Sequence, residues 1–474
     1  MQKIIAFLLC SSICSGLSAQ QNLGIQNSNY AGIQGALLNP SSIADSKLKW
    51  DLNIFSTNVV FDNNFLFVPK KEVNFLGFKQ LIKGAIDLDL FLPRYELSSP
   101  NKLYNATFAT EILGPSFFVK VAKKHEIGLT IAARANANIR DITGNVAINA
   151  FDHLVGPLVN TEFQDNTARM NAMGWLEYGF HYATLLYDDG RDQLKGGISL
   201  NYLQGIAAAY FKNVHINYNI VDTTRIAFSH TSVDYGRTAI EDYNGPKSYH
   251  SLNHGHGFGA DIGFTWVHQL EEASYSNHTN GQLPANADKI NYQYKIGLSL
   301  IDIGSINYNR NSGAYHLQAD DANFIDWHQQ QFSGNAQLDR TLSAVFYNGD
   351  STKSQTADHF KMALPSALSI QADYNFGHHF FGNATIIKGF GHGNNNGVTR
   401  PDVYSLTPRY ETRLWEVSLP LSVISYRQTR VRAGVAVRYR YFFVGGDAPG
   451  SLLKLNDLNG VDFYAGVHLF MPDK

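Results

Sequence analysis

Apolar and polar residues alternate along most of this chain. Leu48, Trp50, Leu52 and Ile54 are separated by Lys49, Asp51 and Asn53. Ile127, Leu129, Ile131, Ala133 and Ala135 alternate with Gly128, Thr130, Ala132, Arg134 and Asn136. The same spacing recurs over 194–202, 258–266, 368–376 and 431–439. A period of two sends successive side chains to opposite faces of a strand, so each segment predicts a strand with one apolar and one polar side. Several segments hold the pattern for nine or more residues. A strand crossing an outer membrane needs about 9–11 residues, whereas sandwich strands usually run about 5–6.

The spacing between strands alternates too. Tight links at Lys123-Lys124, Asp188-Asp189-Gly190, Gly377-His378-His379 and Glu411-Thr412-Arg413 contrast with long excursions near 62–105, 141–171, 211–255 and 303–362. Aromatics near strand ends (Trp50, Trp175, Trp266, Tyr292, Tyr374, Phe376 and Tyr439) suit an interfacial girdle. The fold expected is an all-β, transmembrane, antiparallel up-and-down β-barrel with long extracellular loops. The pattern gives thirteen strands: 47–61, 106–122, 125–140, 172–187, 193–210, 256–270, 289–303, 363–377, 379–391, 402–411, 413–424, 429–444 and 460–471. Bacterial single-chain barrels have even numbers, so a strand is missed or split, with 60–70 and 213–235 the places to look. About 14 strands are expected, within 12–16. In the loops, Ile148, Phe151, Val155 and Leu158 fall at helical spacing, and 214–228 reads as strands running beyond the membrane.

The beginning of the chain reads as a secretory leader over 1–19: Lys3, a short apolar core from Ile4 to Cys10, and small residues Ser18-Ala19 before Gln20. Both cysteines, Cys10 and Cys14, lie inside it, so the mature chain is expected to lack thiol chemistry and disulfides. A hatch-like segment, 20–46, follows. It carries a polar lead, a small-residue stretch from Tyr30 to Leu38, then Asn39-Pro40-Ser41, where Asn39 can cap and Pro40 can begin a short helical turn. The barrel is expected over 47–474. The location implied is the cell outer membrane of a Gram-negative organism, with lipid, lipopolysaccharide and the barrel assembly machinery as partners. The aromatic-rich last strand, ending at Phe470 before Met471-Pro472, suits that machinery.

Composition narrows the picture. The 474 residues are 44% hydrophobic but only 16% charged, against a usual share of about 25%. Mean hydropathy is nevertheless −0.20. Past the leader no apolar run reaches the length of about 18 residues that a transmembrane helix needs. Aromatics at 13% argue against disorder, and a net charge of −2 leaves no basic field for nucleic acid.

Candidate chemistry is sparse. His250, His254 and His256 cluster before a strand and His378-His379 sit in a turn, but both read as loop histidines, and no metal site is expected. Gly255, Gly257 and Gly259 imitate a phosphate loop, yet Ala260 takes the sixth position and a strand follows. No GxSxG, HExxH or P-loop pattern occurs, so no enzyme and no cofactor is expected. The most suggestive polar feature is Arg430, Arg432, Arg438 and Arg440 on one face. Facing lipid, each would cost about 2–4 kcal/mol near mid-membrane, so they are expected to line the lumen with Arg134, Glu177, Asp261 and Asp373. Such a lumen is either tuned to anionic or amphipathic solutes or filled by salt-bridged side chains.

Several stretches resemble a group of Bacteroidota outer-membrane β-barrels that carry a domain of unknown function. They are Asn29-Tyr30-Ala31-Gly32 with Leu38-Asn39-Pro40-Ser41, Gly114-Pro115-Ser116-Phe117, the run from Lys295 to Gly304, Leu364-Pro365-Ser366-Ala367, Thr407-Pro408-Arg409-Tyr410-Glu411 and the run from Val461 to Gly466. The Asn-Pro element and the strand-rich remainder are also similar to long-chain fatty-acid transporter barrels and type IX secretion barrels. The resemblance implies a barrel of roughly 14 strands whose N-terminal segment, with Tyr30, Asn39 and Pro40, enters the lumen as a hatch. The function expected is passive uptake of small hydrophobic or amphipathic molecules. The alternative is a structural or interaction barrel that docks surface or secretion components through its loops.

Overall fold

The computed structural model describes residues 22–64, 103–144, 159–160, 162–165, 167–222, 224–239, 252–270, 292–325, 334–391, 395–425, 429–447 and 460–472. The chain folds into one closed antiparallel barrel of fourteen staves. The first stave is β1 (Leu48–Asn63), and the second is β2 (Leu103–Leu113) continued by β3 (Ser116–Ala122) across Gly114-Pro115. The third is β4 (His125–Thr143). After the short β5 (Glu162–Asp165), outside the barrel, come the fourth and fifth staves, β6 (Arg169–Asp188) and β7 (Asp192–Ile220). β8 (Arg225–Thr238) stands beyond the barrel; β9 (Gly255–Gln269) and β10 (Tyr292–Tyr308) are the sixth and seventh staves.

β11 (Ser312–Ala319), β12 (Ala322–Ile325) and β13 (Gln355–Ala357) again lie outside the barrel. The eighth stave is β14 (Phe360–Ala363) with β15 (Ala367–Gly377), broken at Pro365. The ninth and tenth are β16 (Phe380–Gly389) and β17 (Asp402–Glu411). The eleventh is β18 (Trp415–Ser418) with β19 (Leu421–Ser425), broken at Pro420, and the twelfth is β20 (Thr429–Ala433) with β21 (Val435–Tyr439), broken at Gly434. β22 (Phe442–Gly446) and β23 (Gly460–Pro472) complete the ring, and β23 closes on β1 from Asp62↔Gly460 to Leu48↔Pro472. Proline lacks a ladder donor, so its place between the paired halves of a stave is where it costs least.

The even number comes from a split, and not where the sequence suggested it. Residues 429–444 form two staves because the chain turns at Arg440-Tyr441, where Arg440 adopts φ 55°. Nothing but two long side chains marks that turn in sequence, so the alternation reads straight through it. Residues 213–235 do form strands, but these rise beyond the barrel. The helical spacing at 148–158 and most of 60–70 lie outside the described residues.

Side chains sort by the pleat. Outward residues such as Leu129, Ile131, Leu200, Phe264, Leu298, Leu406 and Leu421 are exposed around the barrel. So large an apolar surface belongs against hydrocarbon rather than water. Trp266, Tyr374, Phe376 and Tyr439 share this outer face, whereas Trp175 and Tyr292 are buried inside. Trp175 shares a strand phase with Glu177, and Tyr292, three residues before the inward Lys295, reaches the same face because the ladder slips between Tyr292 and Tyr294. Phe470 also points inward, against Tyr30 and Tyr441.

One stave outruns the rest. β7 has 29 residues, well over the roughly 9–11 that a bilayer requires. Its first half pairs with β6 and β9, and its second half with β5 and β8. β8 pairs in turn with β11 and β12, and a helix, Asn335–Phe346, packs Phe346 among Phe228, Val233, Leu317 and Ala322. Asp339 on this helix accepts from Tyr235 and Arg237. The result is a small helix-on-sheet tower above the barrel wall. At its tip, the Thr224 hydroxyl and nearby backbone N–H groups hold the Asp222 carboxyl below its ordinary range.

The split is testable with single cysteines in a chain that starts at residue 20, which lacks Cys10 and Cys14 and so all native thiols. Arg440→Cys is expected to react rapidly with a water-soluble maleimide in the folded protein, and Arg438→Cys is expected to be shielded.

Candidate functional site

Residues 22–45 lie inside the barrel, packed against the inner faces of its staves. A four-residue helix, Ile33–Ala36, leads to a 3-10 turn, Pro40–Ile43. Asn39 sits just before the turn in an extended conformation, and its Oδ1 accepts from the Ser41 backbone N–H at 3.0 Å and the Ser41 hydroxyl at 2.7 Å. Its Nδ2 donates to Gln371 Oε1 at 3.0 Å, with Thr265 Oγ1 and the Phe264 carbonyl at 3.3 Å. Thus one side chain caps the turn and ties it to the barrel wall.

Close approach needs glycine in the wall. A Cβ on Gly197 would lie 2.5 Å from the Ser41 nitrogen and 2.6 Å from the Pro40 carbonyl oxygen. A Cβ on Gly263 would lie 3.0 Å from Asn39 Cγ and 3.1 Å from Pro40 Cδ. The inward face at both positions is therefore open to backbone.

Other contacts fix the rest of the hatch. Ile33 N–H donates to Asp51 Oδ2 at 2.9 Å, and the other Asp51 oxygen is 2.7 Å from His468 Nδ1. Ser28 Oγ donates to Glu416 at 2.7 Å, Asn29 Nδ2 to Glu411 at 2.8 Å, and Ser299 Oγ to the Leu38 carbonyl at 2.7 Å. Arg438 lies over the Tyr30 ring at 4.7 Å. Apolar burial adds to this: Tyr30, Ile33, Ala36 and Ile43 pack with Leu48, Leu113 and Phe118.

A second segment folds in from the loop end. Residues 395–400 pass under the rim, bridging Gly397 to Ala363 and burying Val398 beside Met173, Trp175 and Leu364. Thr399 N–H donates to Asn138 Oδ1 at 2.7 Å, and Arg400 reaches Asp302 at 2.6 Å. Between this segment and the hatch lies a cavity of about 20 Å³, lined by Gln26, Leu37 and Leu38 of the hatch with Glu111, Arg134, Glu177, His181, Asp261, Asp302 and Arg400. That is space for about one water molecule.

The charged candidates resolve into pairs. Arg134 donates to Glu177 at 2.9 Å and in bidentate fashion to Asp302 at 2.6 and 2.9 Å, with Glu111 at 3.5 Å and the Trp175 ring at 5.0 Å. Asp261 accepts from the Asp302 N–H at 2.6 Å and from Asn201 at 3.0 Å. Asp373 takes both arms of Arg409, at 2.7 and 3.0 Å, and the Tyr292 hydroxyl. Arg432 pairs with Asp62; Arg430 lies 3.2 Å from the same carboxylate; Arg438 donates to Glu416 at 2.9 Å. Arg440 joins none of these: it is exposed in the turn, beside the Tyr441 ring, because the strand has ended. The sequence reading therefore placed one arginine too many in the lumen and missed the partners Asp62, Asp302, Arg400, Arg409, Glu411 and Glu416.

Asp302 carried a readable signal. By the phase of Ile296, Leu298 and Leu300 it would face lipid, where a carboxylate is costly. The ladder instead slips between Leu300 and Ile303, Asp302 takes φ 56°, and its side chain turns inward. Among the histidines, His254 hydrogen-bonds the Arg310 carbonyl at 3.0 Å and His256 faces outward. His250 lies outside the described residues. Among the described residues no group of three His, Cys, Asp or Glu is arranged to hold a metal ion.

The sequence pattern of the family of unknown function DUF5723 matches residues 40–447. No curated protein matches the chain. Among solved structures, a deltaS2S3 mutant of the monoaromatic hydrocarbon channel TodX is similar at 8% identity and a TM-score of 0.44, covering 94% of this chain and 95% of its own. The monoaromatic hydrocarbon channel CymD follows at 9% identity and a TM-score of 0.32, covering 96% and 98%. A Pseudomonas aeruginosa FadL homologue gives 6% identity and a TM-score of 0.22, covering 96% and 97%.

Loosening the hatch should leave the barrel standing. Asn39→Ala removes bonds worth about 0.5–1.5 kcal/mol each, and Gly197→Val forces the Pro40-Ser41 backbone away. In both variants proteolysis within 22–45 is expected to rise several-fold, while heat-modifiable migration of the barrel is retained.

Proposed function

The chain belongs to the family of unknown function DUF5723, and we propose that it is a gated outer-membrane channel for passive uptake of small amphipathic molecules. The observation that supports this reading most is the hatch. A purely structural barrel of this size has no use for a detachable segment in its lumen, and stave side chains alone could have filled the space. Here about two dozen residues of one tethered strand-free segment fill it, against glycines that leave the wall smooth. Its polar contacts are individually modest and have water as an alternative partner, so release exchanges bonds instead of abolishing them.

The closed lumen means that passage needs displacement of both the hatch and residues 395–400. The polar wall with scattered apolar positions, Leu37, Leu38 and Val398, suits amphipathic solutes better than purely hydrophobic ones. Export through the leader, insertion by the barrel assembly machinery and residence in lipid and lipopolysaccharide complete the reading.

A second reading is favoured by the tower. A passive channel does not require a sheet and helix raised on one wall, whereas a docking barrel does. Cross-linking in native membranes distinguishes the two, because a docking barrel yields a discrete protein adduct through the tower.

The channel reading is tested in planar bilayers and by liposome swelling. The intact protein is expected to be nearly closed, and deletion of 22–44 to give stable conductance and solute entry. A deletion variant that folds, migrates in heat-modifiable form and still passes nothing would sink the idea.

A further inference from the structure

The cavity between the hatch and the in-folded segment is unbalanced in charge. Four carboxylates, Glu111, Glu177, Asp261 and Asp302, face two guanidiniums, Arg134 and Arg400. The wall leaves two carboxylate charges without a cation of their own, and uncompensated charge is strongly disfavoured away from water, so the chamber favours cations.

The two guanidiniums are held differently. Arg134 rises from β4 and is surrounded: Asp302 takes both its arms, Glu177 and Glu111 flank it, and Trp175 covers its face. Arg400 enters from the loop segment and places a single nitrogen on Asp302 at 2.6 Å. Its side chain is only 5% exposed, yet its Nε has no hydrogen-bond partner. A planar fork suited to bidentate pairing is thus used at one prong. Meanwhile the bulge at Leu300/Ile303 and the left-handed φ of Asp302 exist to turn that carboxylate into the chamber.

We propose that Arg400 is a tethered surrogate for the cationic head of the solute, and that Asp302 with Asp261 and Glu111 is a recognition site for small amphipathic organic cations of the alkylguanidinium type. The chamber as it stands holds about one water molecule, so the apolar tail enters only as Arg400 and its segment move aside, and then lies against Leu37 and Leu38 of the hatch. Arrival of such a cation displaces Arg400, and with it residues 395–400, so the ligand itself loosens the loop-side closure. The inference rests on the channel reading and names the class of molecule that reading leaves open.

The test uses the full chain in detergent with n-butylguanidinium as probe and neutral n-butylurea as its isostere, measured by calorimetry. Arg400→Gln vacates the site and is expected to bind butylguanidinium about tenfold more tightly than the unaltered protein, a change of about 1.4 kcal/mol. Butylurea binding is expected to stay unchanged. Arg400→Lys should behave as the unaltered protein, and adding Asp302→Asn to Arg400→Gln should abolish the gain. Equal cation binding by Arg400→Gln and the double variant, or none by either, overturns the proposal. If Arg400→Gln does not fold, butylguanidinium but not butylurea is expected to restore heat-modifiable migration on refolding, and failure of that rescue overturns it equally. Because these readouts are binding alone, cation binding without solute passage would refute the channel and leave the site, and passage without cation binding would do the reverse.

Discussion

Charge pairing inside a closed wall is the constraint on which the rest of this structure depends. A barrel satisfies its backbone within the ring but places every second side chain in a narrow interior, where an ion without a partner is expensive. The protein meets this with arginines shared between staves far apart in sequence: Arg134 with Asp302, Arg409 with Asp373, Arg432 with Asp62. Each pair cross-braces the wall. The hatch is woven into the same lattice, because Glu411 accepts from Arg409 and the Asn29 side chain, and Glu416 from Arg438 and the Ser28 hydroxyl. A carboxylate that answers to two partners links the position of the plug to the integrity of the wall.

The outer face was legible from sequence because lipid imposes a simple rule. Alternation with charge confined to one phase gave the fold class, the turn at Lys123-Lys124 and the closing strand, since every outward position obeys the same solvent. The lumen obeys no such rule. Arg430, Arg432 and Arg438 could be read as inward, but not that Asp62 or Glu416 would meet them, because such partners are set by stagger around the ring and not by neighbours along the chain. Arg440 shows the limit from the other side: its phase was right for the lumen, and a turn without glycine or proline removed it from the strand.

Irregular positions are the informative ones. Asp302 breaks the alternation in an otherwise apolar run, and the break marks a slip that redirects a charge. Pro365, Pro420 and Gly434, like Gly114-Pro115, interrupt staves that would otherwise be continuous. The uninterrupted run of staves from β4 through β9 is the part that cradles Pro40 and Ser41 against Gly197 and Gly263.

The length of β7 carries a mechanical meaning. The strand that holds Gly197 under the hatch is the same unbroken strand whose far end, 216–220, forms the tower sheet. No loop or hinge intervenes between them. One continuous strand therefore joins the tower sheet to the seat of the hatch. The tower sheet and the hatch seat thus share one backbone, kinked where the ladder slips between Asn213 and Asn217.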